Sequence, residues 1–401
     1  MSRYQYVTIE EKHIFTPSLL NVLRLGYNRS FSDTGAVQTI GPTPNLAFVP
    51  GQELIGNICI DPIRNAQYGG CLGPAVSLPR TFAYNLFEYS DDVIYSKAAH
   101  SVKAGFNIKR NRLNVATLGR DVRGSFSFRT LQDFLRAVPY QFAGEAPNSD
   151  TQRAWRQTIF GFYAQSDIRA LRTLTLNLGL RYEFVTIPKE MHGKSSNLVN
   201  LADSQITVGA LWSRNPSLRD FSPRVGFAWD PFGSGRTSVR GGFGLFYDLP
   251  VSYFYSISGS RTYPFHLFGS VTNPPFPNAL AGIFVPGNRN LQTFAEGMST
   301  PAKVQYNLTI QHEVLPQTVV MAAYVGAGGY HLLRHHEANH RQATVLPGGR
   351  RFLAASPPAP VGRGNPNFGE NRRIMTDVNS AYHSLQLGFN RRFRNGLQFQ
   401  S

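Results

Sequence analysis

Apolar and polar residues alternate with a period of two along almost the whole chain. Between Thr173 and Phe184, Leu174, Leu176, Leu178, Leu180, Tyr182 and Phe184 fall on one side, and Thr173, Thr175, Asn177, Gly179, Arg181 and Glu183 on the other. Successive side chains of a strand point to opposite faces, so this spacing predicts strands with two chemically different faces. The same split recurs at Val304, Tyr306, Leu308 and Ile310 against Gln305, Asn307, Thr309, Gln311 and Glu313. It recurs again at Leu385, Leu387, Phe389 and Phe393 against Ser384, Gln386, Gly388, Asn390 and Arg392, and at Val225, Phe227 and Trp229 against Arg224, Gly226, Ala228 and Asp230.

A soluble sandwich alternates too, and the connections separate the two cases. Short turns are predicted at 16–18, 97–101, 170–171, 231–235, 315–317 and 395–396, the last an Asn395-Gly396 hairpin turn. Between them lie long Gly/Pro/Asn-rich segments at about 32–80, 186–220, 249–302 and 328–379. Tight turns at one end and long loops at the other are the asymmetry of an outer-membrane barrel. Strands of roughly ten to thirteen residues, tilted, suffice to cross the hydrocarbon layer. In lipid every backbone N–H and C=O must be paired inside the protein, so a spanning sheet has to close. The expected fold is therefore all-β, an antiparallel transmembrane β-barrel of about twelve or thirteen strands over residues 1–401. Its Leu, Val and Phe face lipid, and Tyr182, Trp229, Tyr247 and Tyr306 lie near headgroup level.

Composition agrees. Only 16% of the residues are charged, 42% are hydrophobic and 12% aromatic, which excludes a disordered chain. No apolar run approaches the length of a spanning helix. The net charge of +16 raises nucleic acid as a partner, but 33 of the 40 basic residues are arginine and no long basic run occurs. Arginines on the polar side of strands explain the charge without nucleic acid. Met1–Tyr6 lacks the layout of a secretory leader, so an exported protein would need one upstream. Cys59 and Cys71, the only two cysteines, share one Gly/Pro-rich segment. The even count fits a disulfide in an oxidising compartment, with two reduced loop thiols as the other reading.

Several segments resemble one family. Tyr163-Ala-Gln-Ser-Asp167 followed by Thr173–Glu183, Ser222–Pro231 followed by Val239–Asp248, Pro301–Leu333 and Ser380–Phe399 together resemble the β-barrel part of Oar-like TonB-dependent receptors. His100–Gly105 and Asp133-Phe-Leu are similar to shorter signatures of that family. The resemblance implies import of a bulky solute across the outer membrane, with a periplasmic TonB-type coupling protein as partner of the full-length form. It also implies a plug and a carboxypeptidase-regulatory-like domain ahead of the barrel, which no segment here resembles. The chain is thus expected to be a partial barrel, with outer-membrane lipid around it and neither cofactor nor catalysis of its own.

Strand parity places Arg181, Glu183, Arg224, Arg240 and Asp248 on the lumen side, where they either meet the solute or pair with one another. Two other functions compete with transport. A surface-binding adhesin barrel needs only the loops. A zinc hydrolase is suggested by His336-Glu337-Ala338-Asn339-His340, which fits H-E-x-x-H, although the flanking glycines and proline leave little room for the helix that motif requires. Gly233–Thr237 lacks the lysine of a phosphate loop and reads as a hairpin turn. Phe126 and Phe128, interleaved with Arg129, are expected at lipid-facing or girdle positions, and Asp133–Leu135 as a single helical turn.

Overall fold

A computed structural model describes residues 1–35, 44–61, 71–73, 78–116, 122–147, 149–285, 289–352, 362–394 and 397–400. The alternating segments form one fourteen-stranded sheet. Without the short strands Lys189–Glu190 and Leu291–Phe294, twelve remain, joined antiparallel in chain order. These are β1 (Ser2–Thr16), β2 (Leu19–Thr34), β3 (Arg80–Lys97), β4 (His100–Ala116), β5 (Arg153–Leu171) and β6 (Leu174–Val185), then β7 (Phe221–Trp229), β8 (Thr237–Tyr247), β9 (Ala302–Leu315), β10 (Thr318–Glu337), β11 (Asn371–Arg394) and β12 (Leu397–Gln400).

The register aligns like with like. Leu178 lies opposite Val225, Val225 opposite Phe243, and Phe243 opposite Tyr306. On the other face Gly179 meets Arg224, Arg224 meets Gly244, and Gly244 meets Gln305. A one-residue slip would mix the two faces, so the hydrophobic pattern itself fixes the register. The apolar rows are bare: Leu308 is 45% exposed, Leu385 69% and Leu387 71%. Among the described residues no second layer covers them, and a face this apolar and this open is one built for lipid.

The turns at one end are tight. In the β7–β8 turn the Asp230 carboxylate accepts from the backbone N–H of Gly233 and Gly235, at 3.1 and 2.7 Å, which identifies 231–235 as a hairpin turn rather than a phosphate loop. The turn at Asn395-Gly396 lies outside the described residues.

At the other end most of the long strands outrun the expectation. β3, β5, β10 and β11 have 18, 19, 20 and 24 residues, and the loop expected at 328–379 begins only after Glu337 and ends at Asn371. Alternation is cleanest where one flank meets lipid and the other water, and past that level the pattern fades while the pairing continues.

The connections at this end build a cap. Phe268–Thr272, Gln141–Glu145, Ser125–Phe128, Asn57–Ile60 and Cys71–Leu72 form a separate five-stranded sheet. A disulfide joins Cys59 to Cys71 across its last pair. Phe126 and Phe128 are fully buried here, against Phe48, Phe142 and Phe276, and not at the lipid surface. Alternation on a four-residue strand looks the same whether its apolar face meets lipid or a core, so the girdle assignment is corrected. The helical turn α1 (Leu131–Leu135) follows, capped by Thr130, whose hydroxyl accepts from the Asp133 N–H. Two further cores lie beside it, one around Trp155, Trp212, Tyr255 and Phe294, the other around Leu198, Leu291 and Phe368. No helix among the described residues is long and apolar enough to cross a membrane.

Candidate functional site

The polar face of the large sheet and the cap carry the charged and buried polar groups of the chain. On the β1–β6 half of that face, acids and bases are interleaved and pair. Lys12 reaches Glu10 at 2.8 Å, Lys109 reaches Glu88 at 2.9 Å, and Arg181 reaches Glu183 at 2.5 Å. Asp92, largely buried, is held by Lys103 at 3.2 Å, by Arg24 at 3.3 Å and by the Tyr163 hydroxyl. Partly buried charges persist because each has opposite charge and donors within reach.

Four of the five residues singled out by parity lie on this face. Arg181 and Glu183 form the pair just described, and Arg224 stacks over the Phe246 ring at 4.6 Å. Arg240, four residues nearer the turns than the position facing Arg224, has its Nε bonded to the Ser238 hydroxyl at 3.0 Å. Asp248 lies just past the end of β8 and accepts from Tyr253 at 2.8 Å, and burial together with that carboxylate pushes the Tyr253 hydroxyl up to about 12. The five do not converge on one point. The Asp92–Lys103–Tyr163 cluster was not singled out, though the parity of Glu88, Ser90 and Asp92 marks it.

The cap carries its own polar features. His266, fully buried, meets the Glu145 carboxylate at 2.5 Å and stacks on Phe268. Asp150 is held below the usual carboxylate range: burial raises it, but the Lys194 ammonium at 2.5 Å and the Gln152 N–H outweigh burial. Asp220 is the opposite case. Burial lifts its carboxyl to about 6 against the opposing pull of the Thr300 hydroxyl, and the negative Glu183 adds to the rise.

A carboxyl raised on folding contributes its full stability below the unfolded value of 3.8 and loses it as the pH climbs to about 6. Two units correspond to about 3 kcal/mol. Asp220→Asn is therefore expected to stabilise the cap by up to about 3 kcal/mol at pH 8 and to change nothing at pH 4. Protease resistance of the cap in urea at the two pH values measures this. Equal midpoints for both proteins at pH 8 would contradict it.

The H-E-x-x-H segment is not helical. His336 and Glu337 end β10, Ala338 and Asn339 turn, and the Glu337 carboxylate accepts from the N–H groups of Asn339 and Asn371, both at 3.0 Å. The His336 and His340 rings stand 6.4 Å apart, and among the described residues no group of three or more His, Cys, Asp or Glu is placed to hold a metal.

Two-faced strands, tight turns opposite a folded cap, and bare leucine rows match one family model, the outer membrane beta barrel domain, over residues 1–401. The chain belongs to that family. Its place is the outer membrane, with the apolar face of the sheet toward lipid. Among solved structures it is similar to the outer membrane transporter YddB from Escherichia coli, at 11% identity and a TM-score of 0.51. That alignment covers 97% of this chain and 39% of the other. It is also similar to the siderophore receptor PirA from Acinetobacter baumannii, at 8% identity and a TM-score of 0.52, over 98% of this chain and 42% of that one. The chain thus spans about two fifths of the length of these proteins, and identities this low establish the shared fold. No curated protein matches it.

Proposed function

We propose that the chain is wall and cap of an outer-membrane transporter for a bulky solute, of the Oar-like TonB-dependent kind, with the polar face lining the solute's path. The observation carrying this reading is the charged side of the wall, with ion pairs on β1–β6 and Arg224, Arg240, Lys303 and Arg392 beyond them, interrupted on β10 by Val319, Met321, Ala323 and Val325, and opposite bare leucines. A wall holding only lipid or serving only as an anchor has no need of so many charged residues at strand centres, where each must be solvated or paired. The neighbours YddB and PirA, a transporter and a siderophore receptor, support the reading through their shared fold. In the full-length form a plug would fill the lumen and a periplasmic coupling protein would pull it. Arg181, Glu183, Arg224, Arg240 and Asp248 would then face solute or plug.

The test is solute depletion from defined medium by cells carrying the full-length gene, compared with cells lacking it and with cells lacking the energy-coupling protein. At least one solute is expected to disappear only when both are present. Depletion that needs the gene but not the coupling protein would favour a passive or adhesive barrel. Identical media in all three cultures would reject transport.

A further inference from the structure

The two halves of the polar face differ in charge. From β1 to β6 the ion pairs described above balance one another. From β7 to β12 the same face carries Arg224, Arg240, Lys303 and Arg392, and the acids near the turns are Asp230, bonded to the Gly233 and Gly235 N–H groups, and Glu313, which lines a pocket there. Among the described residues none of Arg236, Arg240 and Arg392 makes an ion pair. The Glu313 carboxylate is engaged by the Gln317 N–H at 2.8 Å.

These three arginines border a half-open pocket of about 580 Å³ on the turn side of β8–β12. Its floor is apolar, made by Val319 and Met321, and it gains depth at Gly388, which carries no side chain. Arg236 is steadied by a bond from Nη2 to the Glu313 carbonyl at 3.1 Å, and Arg240 by its Nε bond to Ser238, which leaves the outer nitrogens of Arg240 free. Three guanidiniums against the one Glu313 carboxylate that also lines the pocket leave the recess with net positive potential over its partly apolar floor. Each fork can also grip a carboxylate, phosphate or sulfonate with two parallel bonds.

We propose that this pocket is an anion-binding site, for a ligand that carries two or more anionic groups on an apolar body. The anionic groups meet Arg236, Arg240 and Arg392, and the body rests on Val319 and Met321. The pocket lies on the face that the transport reading gives to the solute's path, but dye binding tests the pocket itself whether or not the protein transports.

The test uses the trisulfonated dye pyranine, a flat aromatic body with three permanent anions, titrated against the detergent-folded protein and followed by fluorescence anisotropy. Binding is expected to saturate, to weaken as salt is added, and to weaken by about tenfold or more in the Arg240→Gln/Arg392→Gln double variant. Arg29→Gln, on the opposite face and the cap side of β2, is expected to bind as the unaltered protein does. Both variants are checked for the slower gel mobility that folded barrels show on heating. Competition by citrate points to a small polyanion as ligand, and competition by hexaglutamate without citrate to an acidic protein segment. Binding that never saturates, or that is equal in the double variant, overturns the proposal.

Discussion

Phe126→Ala is expected to cost the cap about 3–5 kcal/mol while the large sheet stays intact. The ring is fully buried, and three other aromatic rings pack on it at centroid distances of 4.9, 4.6 and 4.9 Å. Removing it leaves a cavity that cannot close without moving Phe48, Phe142 or Phe276. Hydrogen exchange should show lost protection at 57–60, 125–128 and 141–145, with protection at the centres of β5–β9 unchanged. Uniform loss over both sheets would mean that cap and wall fold as one unit. Unchanged protection everywhere would mean that the ring is not in a core.

Leu308→Arg is the second large effect. Leu308 stands at the middle of β9 on the bare apolar face, and a cation at the bilayer midplane of a barrel costs about 2–4 kcal/mol. Asn307→Arg, one residue earlier and on the polar face, is expected to cost less than about 1 kcal/mol. Urea titration of folding into lipid vesicles compares the two. Equal costs would show that the faces do not meet different media, which would undo the assignment of lipid and aqueous sides.

The centre of the wall was legible from residue order alone. Thr173–Phe184 and its partners at 222–229 and 239–248 alternate so strictly that face, register and turn follow from it. What lies above the membrane was not legible. There a strand such as Ser125–Phe128 has both flanks in protein, so the same alternation carries a different meaning, and Phe126 was placed against lipid instead of inside a core. Asp92 shows a different limit. Its parity put it on the polar face, but its partners Arg24, Lys103 and Tyr163 come from three other strands, and only the register brings them together. The arginine pocket escaped for the same reason, since Arg240 and Arg392 are 152 positions apart in the chain and meet only through the pairing of β8 to β12.

The segment between β8 and β9 contributes to every core of the cap. Phe254, Tyr255 and Phe294 enter the first, Ala279 and Ile283 the second, and Leu291 the third. Surface loops ordinarily diverge one at a time, because an insertion in one is invisible to the others. Here that freedom is curtailed: a change in the length of this stretch is transmitted to three neighbours at once. Relatives with new specificities are then expected to vary at outward positions such as Leu131, Leu135 and Val138, and to keep the spacing of the buried aromatics.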